Sequence, residues 1–113
     1  MIEIEAVVDN DGILRACKAA GHAGSGKTGS DIVCAAVSVL MRTAFSTLSG
    51  REGIIVSGGA PEKGIMWLET GYTDDGKGKN FLFAAGVFLI NGLGSVAQEY
   101  PGNCKLTIKK MIL

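Results

Sequence analysis

The sequence predicts an α+β fold: a single layer of mostly antiparallel sheet with two buried helices, in the order ββαββαβ. Three observations support this prediction. Short alternating segments come in pairs, two long apolar segments separate them, and a chain of 113 residues has room for only one core. We therefore expect residues 1–113 to form one domain. Because both helical segments carry more apolar residues than one face can bury, we also expect a homodimer.

The first pair of strands is predicted at the N-terminus. Residues 2–8 alternate between apolar and mostly acidic side chains, as in a strand with one buried face. The tetrapeptide at 9–12, Asp-Asn-Asp-Gly, consists of residues that tolerate the backbone angles of a tight turn. Residues 13–20 are expected to return as the second strand. They lead into a glycine-rich loop at 21–29.

The first helix is expected to run from Asp31 to Ser49 and to end at Gly50. Ser30 or Asp31 is expected to cap it, since either side chain accepts a hydrogen bond from a free amide of the first turn. If Asp31 is the cap, Cys34 is expected to be the third residue of the helix. At helical spacing, one narrow polar face contains Asp31, Cys34, Ser38 and Arg42.

The remaining elements follow from apolar runs and turn residues. We expect strands at 54–57 and 65–70, a turn at 58–61, a polar loop at 71–80, a helix at 81–100 and a final strand at 105–112. Three glycines in the second helix, Gly86, Gly92 and Gly94, each cost about 1 kcal/mol relative to alanine. They are therefore expected at close packing contacts.

Composition excludes several classes of function. Eleven basic and eleven acidic side chains balance, so no direct nucleic-acid partner is expected. An odd number of cysteines and an acidic N-terminus predict a reducing, cytoplasmic location without a signal peptide. The longest apolar run, 81–90, is about half the length that a membrane span needs, so no membrane partner is expected.

A phosphate-binding loop is one interpretation of the glycine-rich segment, because Gly21–Thr28 matches GxxxxGKT. The context differs from that of such loops. The preceding strand is half polar, whereas a phosphate loop follows a buried parallel strand. The helix is predicted to start three or four residues after Lys27, and no magnesium-binding aspartate follows a second apolar strand. Nucleotide binding remains an alternative on the pattern alone.

A cysteine nucleophile is the second interpretation of the same stretch. A thiol near a helix N-terminus is favoured as the thiolate, and a nearby histidine can take its proton. The only histidine, His22, lies in the loop, and Asp31 could orient it. The residues alone leave plainer roles open: Cys34 as a small core residue, Asp31 as a helix cap, His22 as a loop hydrogen-bonding group and Ser38 bonded to its own helix. No metal site is expected, because cysteine and histidine spacing does not support one.

A resemblance favours the cysteine interpretation. Gly21-His22-Ala23, Gly29 and Asp31-Ile32-Val33-Cys34-Ala35-Ala36 with Ser38 resemble the signature of the ribosomal-processing cysteine protease family Prp (YsxB-like), and the likeness extends over the chain.

This resemblance implies a small cytoplasmic homodimer without a cofactor. Its substrate would be the precursor of bacterial large-subunit ribosomal protein number twenty-seven, whose N-terminal extension it would remove. Cys34 would be the nucleophile, His22 the base and Asp31 its support. Ser38, Gly21, Ala23 and Gly29 would line the site. A non-catalytic, ribosome-associated binding module of the same fold is the main alternative.

Overall fold

The computed structural model describes residues 1–21 and 30–111, without the side chains of residues 30 and 31. The seven elements occur in the predicted order ββαββαβ. They are β1 (Ile2–Val8), β2 (Leu14–Ala20), α1 (Ser30–Leu48), β3 (Ile54–Glu62), β4 (Ile65–Tyr72), α2 (Lys77–Glu99) and β5 (Cys104–Lys110).

The five strands form one sheet in the order β3-β4-β2-β1-β5. Three of the four neighbouring pairs are antiparallel, and only β1 and β5 run parallel. The predicted α+β class and mostly antiparallel sheet are thus confirmed. The pairing of β4 with β2 brings Ile65 opposite Ala20, which places the β3–β4 turn beside the end of β2.

The main core lies between one face of the sheet and the two helices. Ile2, Ile4 and Ala6 of β1 are buried, whereas Glu3 and Glu5 are exposed, as the alternation predicts. The helices contribute to the same cluster, which also includes Val33, Val37 and Met41 of α1 and Leu89 and Leu93 of α2. Within the sheet, α1 packs mainly against β3 and β4.

The turn between β1 and β2 confirms the predicted turn chemistry. Asp9 is buried, and its Oδ1 accepts hydrogen bonds from the amides of Asp11 at 2.9 Å and Ile13 at 3.0 Å. Its Oδ2 lies 3.2 Å from the guanidinium of Arg15. Gly12 has a φ of +80°, a conformation that favours glycine. This network closes the end of the sheet that lies away from Gly21.

The predicted turn at 58–61 is wrong, because β3 continues through it to Glu62. Local chemistry favours a turn at Gly-Gly-Ala-Pro, but the glycines serve packing instead. A Cβ on Gly58 would lie 2.8 Å from the Trp67 carbonyl oxygen and 2.9 Å from the ring of Phe45 in α1. Only glycine, which has no side chain, therefore lets α1 pack this closely against β3. A register shift between Gly59 and Glu62 accommodates the proline. The chain turns at 63–64, where Gly64 has a φ of +86°.

Both helices begin earlier than the sequence predicts. The first starts at Ser30, one residue before the expected start, and the second at Lys77, four residues before it. Asp74 explains the early start of α2. Its side chain accepts the Gly76 amide at 2.8 Å and its carbonyl accepts the Lys79 amide at 2.9 Å, so the polar segment enters the helix directly.

The helices keep a second apolar face that the sheet does not cover. On α2 the exposed residues are Phe83, Val87 and Phe88, and on α1 they are Ile32 and Val39. By length and composition α2 could also span a membrane. In this fold, however, Leu82, Leu89 and Leu93 on its inner face are buried in the protein. Its apolar character therefore has a role in the core.

Candidate active site

Cys34 lies in the second turn of α1, at the edge of the core. Because α1 begins at Ser30, Cys34 is the fifth helical residue and not the third. Its neighbours Val33 and Val37 are buried, whereas the thiol side chain is half-buried. The helix therefore directs Cys34 to the boundary between the hydrophobic core and a surface cleft.

This cleft has a volume of about 330 Å³ and lies between three parts of the chain. The first is the N-terminal half of α1, with Cys34, Val37 and Ser38. The second is the end of β2 with Gly21, next to the start of β1. The third is the tip of the β3–β4 hairpin. The described lining residues are Ile2, Ala19, Ala20, Gly21, Cys34, Val37, Ser38, Ala60, Glu62, Lys63, Gly64, Ile65 and Met66.

Gly21 fixes the point at which the chain leaves the sheet. Its φ of +125° is a conformation that other residues rarely adopt, and a Cβ there would overlap the carbonyl oxygen of Met1. Its amide donates a 2.9 Å hydrogen bond to the Gly64 carbonyl. This bond joins two walls of the cleft, so the start of the glycine-rich loop is anchored to the hairpin tip.

The hairpin tip is the part of the cleft that the sequence does not reveal. Glu62 and Lys63 are exposed charged residues, and Ile65 and Met66 add apolar surface. Their position depends on the pairing of β4 with β2, which joins segments about fifty residues apart. The local sequence indicates a turn at this position only through Gly64. The Gly-Gly-Ala-Pro segment at 58–61 is a stronger turn pattern, and the sequence therefore predicts the turn there instead.

The structure brings three of the predicted site residues together. Cys34, Ser38 and Gly21 all line the same cleft. Asp31 belongs to α1 three residues before Cys34, but its side chain lies outside the described part. His22, Ala23 and Gly29 also lie outside the described residues. The roles assigned to all of these residues therefore stay predictions.

The other two cysteines differ from Cys34 in their surroundings. Cys17 is 1% exposed, with its Sγ 3.5 Å from the Met41 sulfur, and burial raises its thiol pKa to about 12. Burial also raises the pKa of the Cys104 thiol, which is 2% exposed. All three cysteines are free. Of the three cysteines, only Cys34 therefore lines the cleft.

Two further arrangements can be compared with the described residues. No group of three His, Cys, Asp or Glu side chains within 1–21 and 32–111 could hold a metal ion. The strand before the glycine-rich loop, β2, is antiparallel to both of its neighbours. A phosphate loop instead follows a strand of a parallel sheet, so this topology does not favour the nucleotide interpretation of Gly21–Thr28.

A family model described as cysteine protease Prp matches residues 1–105. The chain belongs to the Prp family of cysteine proteases. The resemblance inferred from the sequence is thereby confirmed, and the protein is a cysteine protease. Among its three cysteines, Cys34 is the one that lines the cleft described above.

Solved structures agree with the Prp fold. The crystal structure of SMU.848 from Streptococcus mutans is 31% identical, has a TM-score of 0.76, and the match covers 98% of this chain and 96% of that one. The essential ribosomal processing protease Prp from S. aureus in complex with a substrate peptide is 20% identical, with a TM-score of 0.80 and coverages of 96% and 100%. Its complex with a covalently linked product peptide is 23% identical, with a TM-score of 0.76 and the same coverages. No protein of curated function matches the sequence significantly.

Proposed function

We propose that this Prp-family protein is a cytoplasmic cysteine endopeptidase that removes the N-terminal extension of large-subunit ribosomal protein number twenty-seven during ribosome maturation. Family membership supports the chemistry. The description of the S. aureus relative as a ribosomal processing protease, with a substrate peptide in one structure and a covalently linked product in another, supports the substrate class. The proposed reaction needs no cofactor.

A single observation supports the catalytic roles best: Cys34 and Gly21 face the same cleft. His22 follows Gly21 directly, so its Cα is only about 3.8 Å along the chain from a cleft-lining residue. A single peptide bond therefore connects His22 to a residue that lines the same cleft as Cys34. A histidine within reach of a cysteine is the arrangement that activates a sulfur nucleophile.

In the proposed first step, His22 takes the proton of Cys34 and the sulfur attacks the carbonyl carbon of the scissile bond. The carbonyl oxygen becomes an oxyanion, which free backbone amides near the start of α1 could stabilise. When this intermediate collapses, the C–N bond breaks and the leaving amine receives the proton from His22. The N-terminal extension is then held as a thioester on Cys34, and the mature protein departs.

In the second step, water replaces the amine. His22 takes a proton from the water, whose oxygen attacks the thioester carbon. The C–S bond breaks, the extension leaves with a new carboxylate, and the sulfur regains its proton. Asp31 would hold the imidazole in the correct orientation, as the third group of such sites does. Ser38, Gly21, Ala23 and Gly29 would line the bound peptide.

Incubation with the ribosomal protein precursor, followed by mass spectrometry, tests this proposal. The wild-type protein should shorten the precursor at one site, and Cys34→Ala and His22→Ala should each stop cleavage while the domain remains folded by circular dichroism. Cys104→Ala is the matched control and should keep cleavage, because its sulfur is buried away from the cleft. Cleavage by Cys34→Ala would refute the mechanism, and binding of the precursor without turnover would favour the binding-module alternative.

We also propose that the protein is a homodimer joined through the outer face of α2. Phe88 is 73% exposed, and Phe83 and Val87 beside it are also exposed. Burying such a patch against a second copy would remove apolar surface from water. Light scattering after size-exclusion chromatography should therefore give a dimer mass for the wild type and a lower mass for Phe88→Ser. Ile108→Ser removes an apolar side chain that is 53% exposed on β5, and it should leave the mass unchanged.

A further inference from the structure

A second groove lies next to the Cys34 cleft, along α1. It has a volume of about 310 Å³ and lies between the middle of α1 and the β3–β4 hairpin. Its lining includes Ala60 and Met66, which also line the cleft. The two depressions thus share a border on the hairpin.

The chemistry of this groove differs from that of the cleft. Phe45 and the almost fully buried Met41 of α1 line one side. The bare backbone of Gly58 lies opposite, so close to Phe45 that a Cβ would approach its ring to 2.9 Å. Arg42 is the only charged residue among the described lining residues of the groove. By contrast, the cleft has both Glu62 and Lys63 at its hairpin side.

The distance between cleft and groove can be estimated along the helix. Met41 and Phe45 follow Cys34 by seven and eleven residues in α1. At ~1.5 Å per helical residue, the groove lies about 10 to 17 Å beyond the sulfur. An extended peptide advances ~3.3 Å per residue, so this distance corresponds to about three to five residues.

We propose that this groove is a specificity site for a large apolar side chain of an extended peptide, three to five residues from the scissile bond. The proposal rests on the proposed function, since the peptide must enter the Cys34 cleft first. The apolar walls select a large apolar side chain, because burying it removes its surface from water. Arg42 at the lining repels a basic side chain at the same position.

A set of fluorogenic peptides provides the test. Each peptide spans the cleavage junction mapped on the precursor, and each position up to six residues on either side carries Leu, Ala or Lys in turn. With the wild-type protein, kcat/KM should fall about tenfold from Leu to Ala at one position three to five residues from the junction, on one side only. Lysine there should lower it further.

Substitutions in the groove test whether its lining residues cause this preference for leucine. Ser46 is exposed and lines the groove, so Ser46→Trp should fill it and reduce the ratio of kcat/KM between Leu and Ala peptides from about tenfold to about one. Thr43→Trp is the matched control: it is exposed on the same helix and lines neither the groove nor the cleft, so it should keep the wild-type ratio. Arg42→Glu should raise turnover of the Lys peptide relative to the Leu peptide.

The outcomes separate this proposal from the proposed function. If the wild type cleaves the peptides but shows no preference three to five residues from the junction, or if Ser46→Trp and Arg42→Glu both keep the wild-type preference, the groove is not a specificity site. If the wild type cleaves neither the peptides nor the precursor, the proposed function itself fails.

Discussion

Alkylation by iodoacetamide should modify Cys34 selectively in the folded protein. Iodoacetamide reacts with the thiolate, and access to the sulfur is required. Cys34 is half-buried beside an open cleft, whereas Cys17 and Cys104 are 1% and 2% exposed. Burial therefore protects two of the three cysteines by excluding the reagent.

The raised thiol pKa of Cys17 also slows its alkylation, because it lowers the fraction of thiolate that can react. With a pKa of about 12, only about one Cys17 side chain in 10⁴ is a thiolate at pH 8. An ordinary thiol with a pKa of about 8.5 is roughly one-quarter ionised at this pH. The thiolate fraction alone thus slows Cys17 by roughly three orders of magnitude relative to an unperturbed cysteine. The raised pKa of Cys104 acts in the same direction.

Peptide mapping by mass spectrometry would follow the reaction at pH 8 over time. The folded protein should show carbamidomethyl label on the peptide that contains Cys34 long before label appears on the other two. In denaturant all three should react at comparable rates, which shows that the difference comes from the fold. If Cys17 or Cys104 reacts as fast as Cys34 in the folded protein, the burial argument and the choice of Cys34 as the accessible thiol are both refuted.

Two further predictions concern stability, measured by urea unfolding. A Cβ on Gly86 would lie 2.8 Å from the Leu14 Cβ, whereas one on Gly94 makes an ordinary 3.8 Å contact. Gly86→Ala should therefore destabilise the protein by about 1–2 kcal/mol, although alanine has a better helix propensity than glycine. Gly94→Ala should stabilise it by up to about 1 kcal/mol. A change of the same sign in the free energy of unfolding of both variants would contradict this. Although burial alone would raise the pKa of Asp9, backbone amides and the Arg15 guanidinium hold it below its ordinary value. The Asp9 carboxylate therefore stabilises the fold at a pH above the ordinary aspartate pKa, and this stabilisation is lost as the pH falls through the lowered pKa of Asp9. The free energy of unfolding of the wild type should exceed that of Asp9→Asn by about 2 kcal/mol at pH 7 and by less at pH 3. A difference that does not shrink in acid would contradict this assignment.

Packing decided the roles of individual glycines. The sequence predicts close contacts for Gly86, Gly92 and Gly94 alike, because helical glycines are costly. The structure distinguishes them: Gly86 faces Leu14 at a distance that excludes a side chain, whereas Gly94 has room for one. Similarly, Gly58 and Gly59 have the composition of a turn but lie within β3. Local composition cannot show which neighbour from a distant part of the chain will lie against a given glycine.

Local patterns determined the order of elements, the turn at 9–12, the helix that carries Cys34 and the family signature, because each depends on residues a few positions apart. The tertiary structure alone decided that β4 pairs with β2, that the hairpin tip closes the cleft beside Gly21, and that Cys34 is the only one of the three cysteines beside a cleft. These features depend on contacts between segments far apart in sequence. Periodicity shows which face of a segment is apolar, but only the assembled fold determines what that face meets.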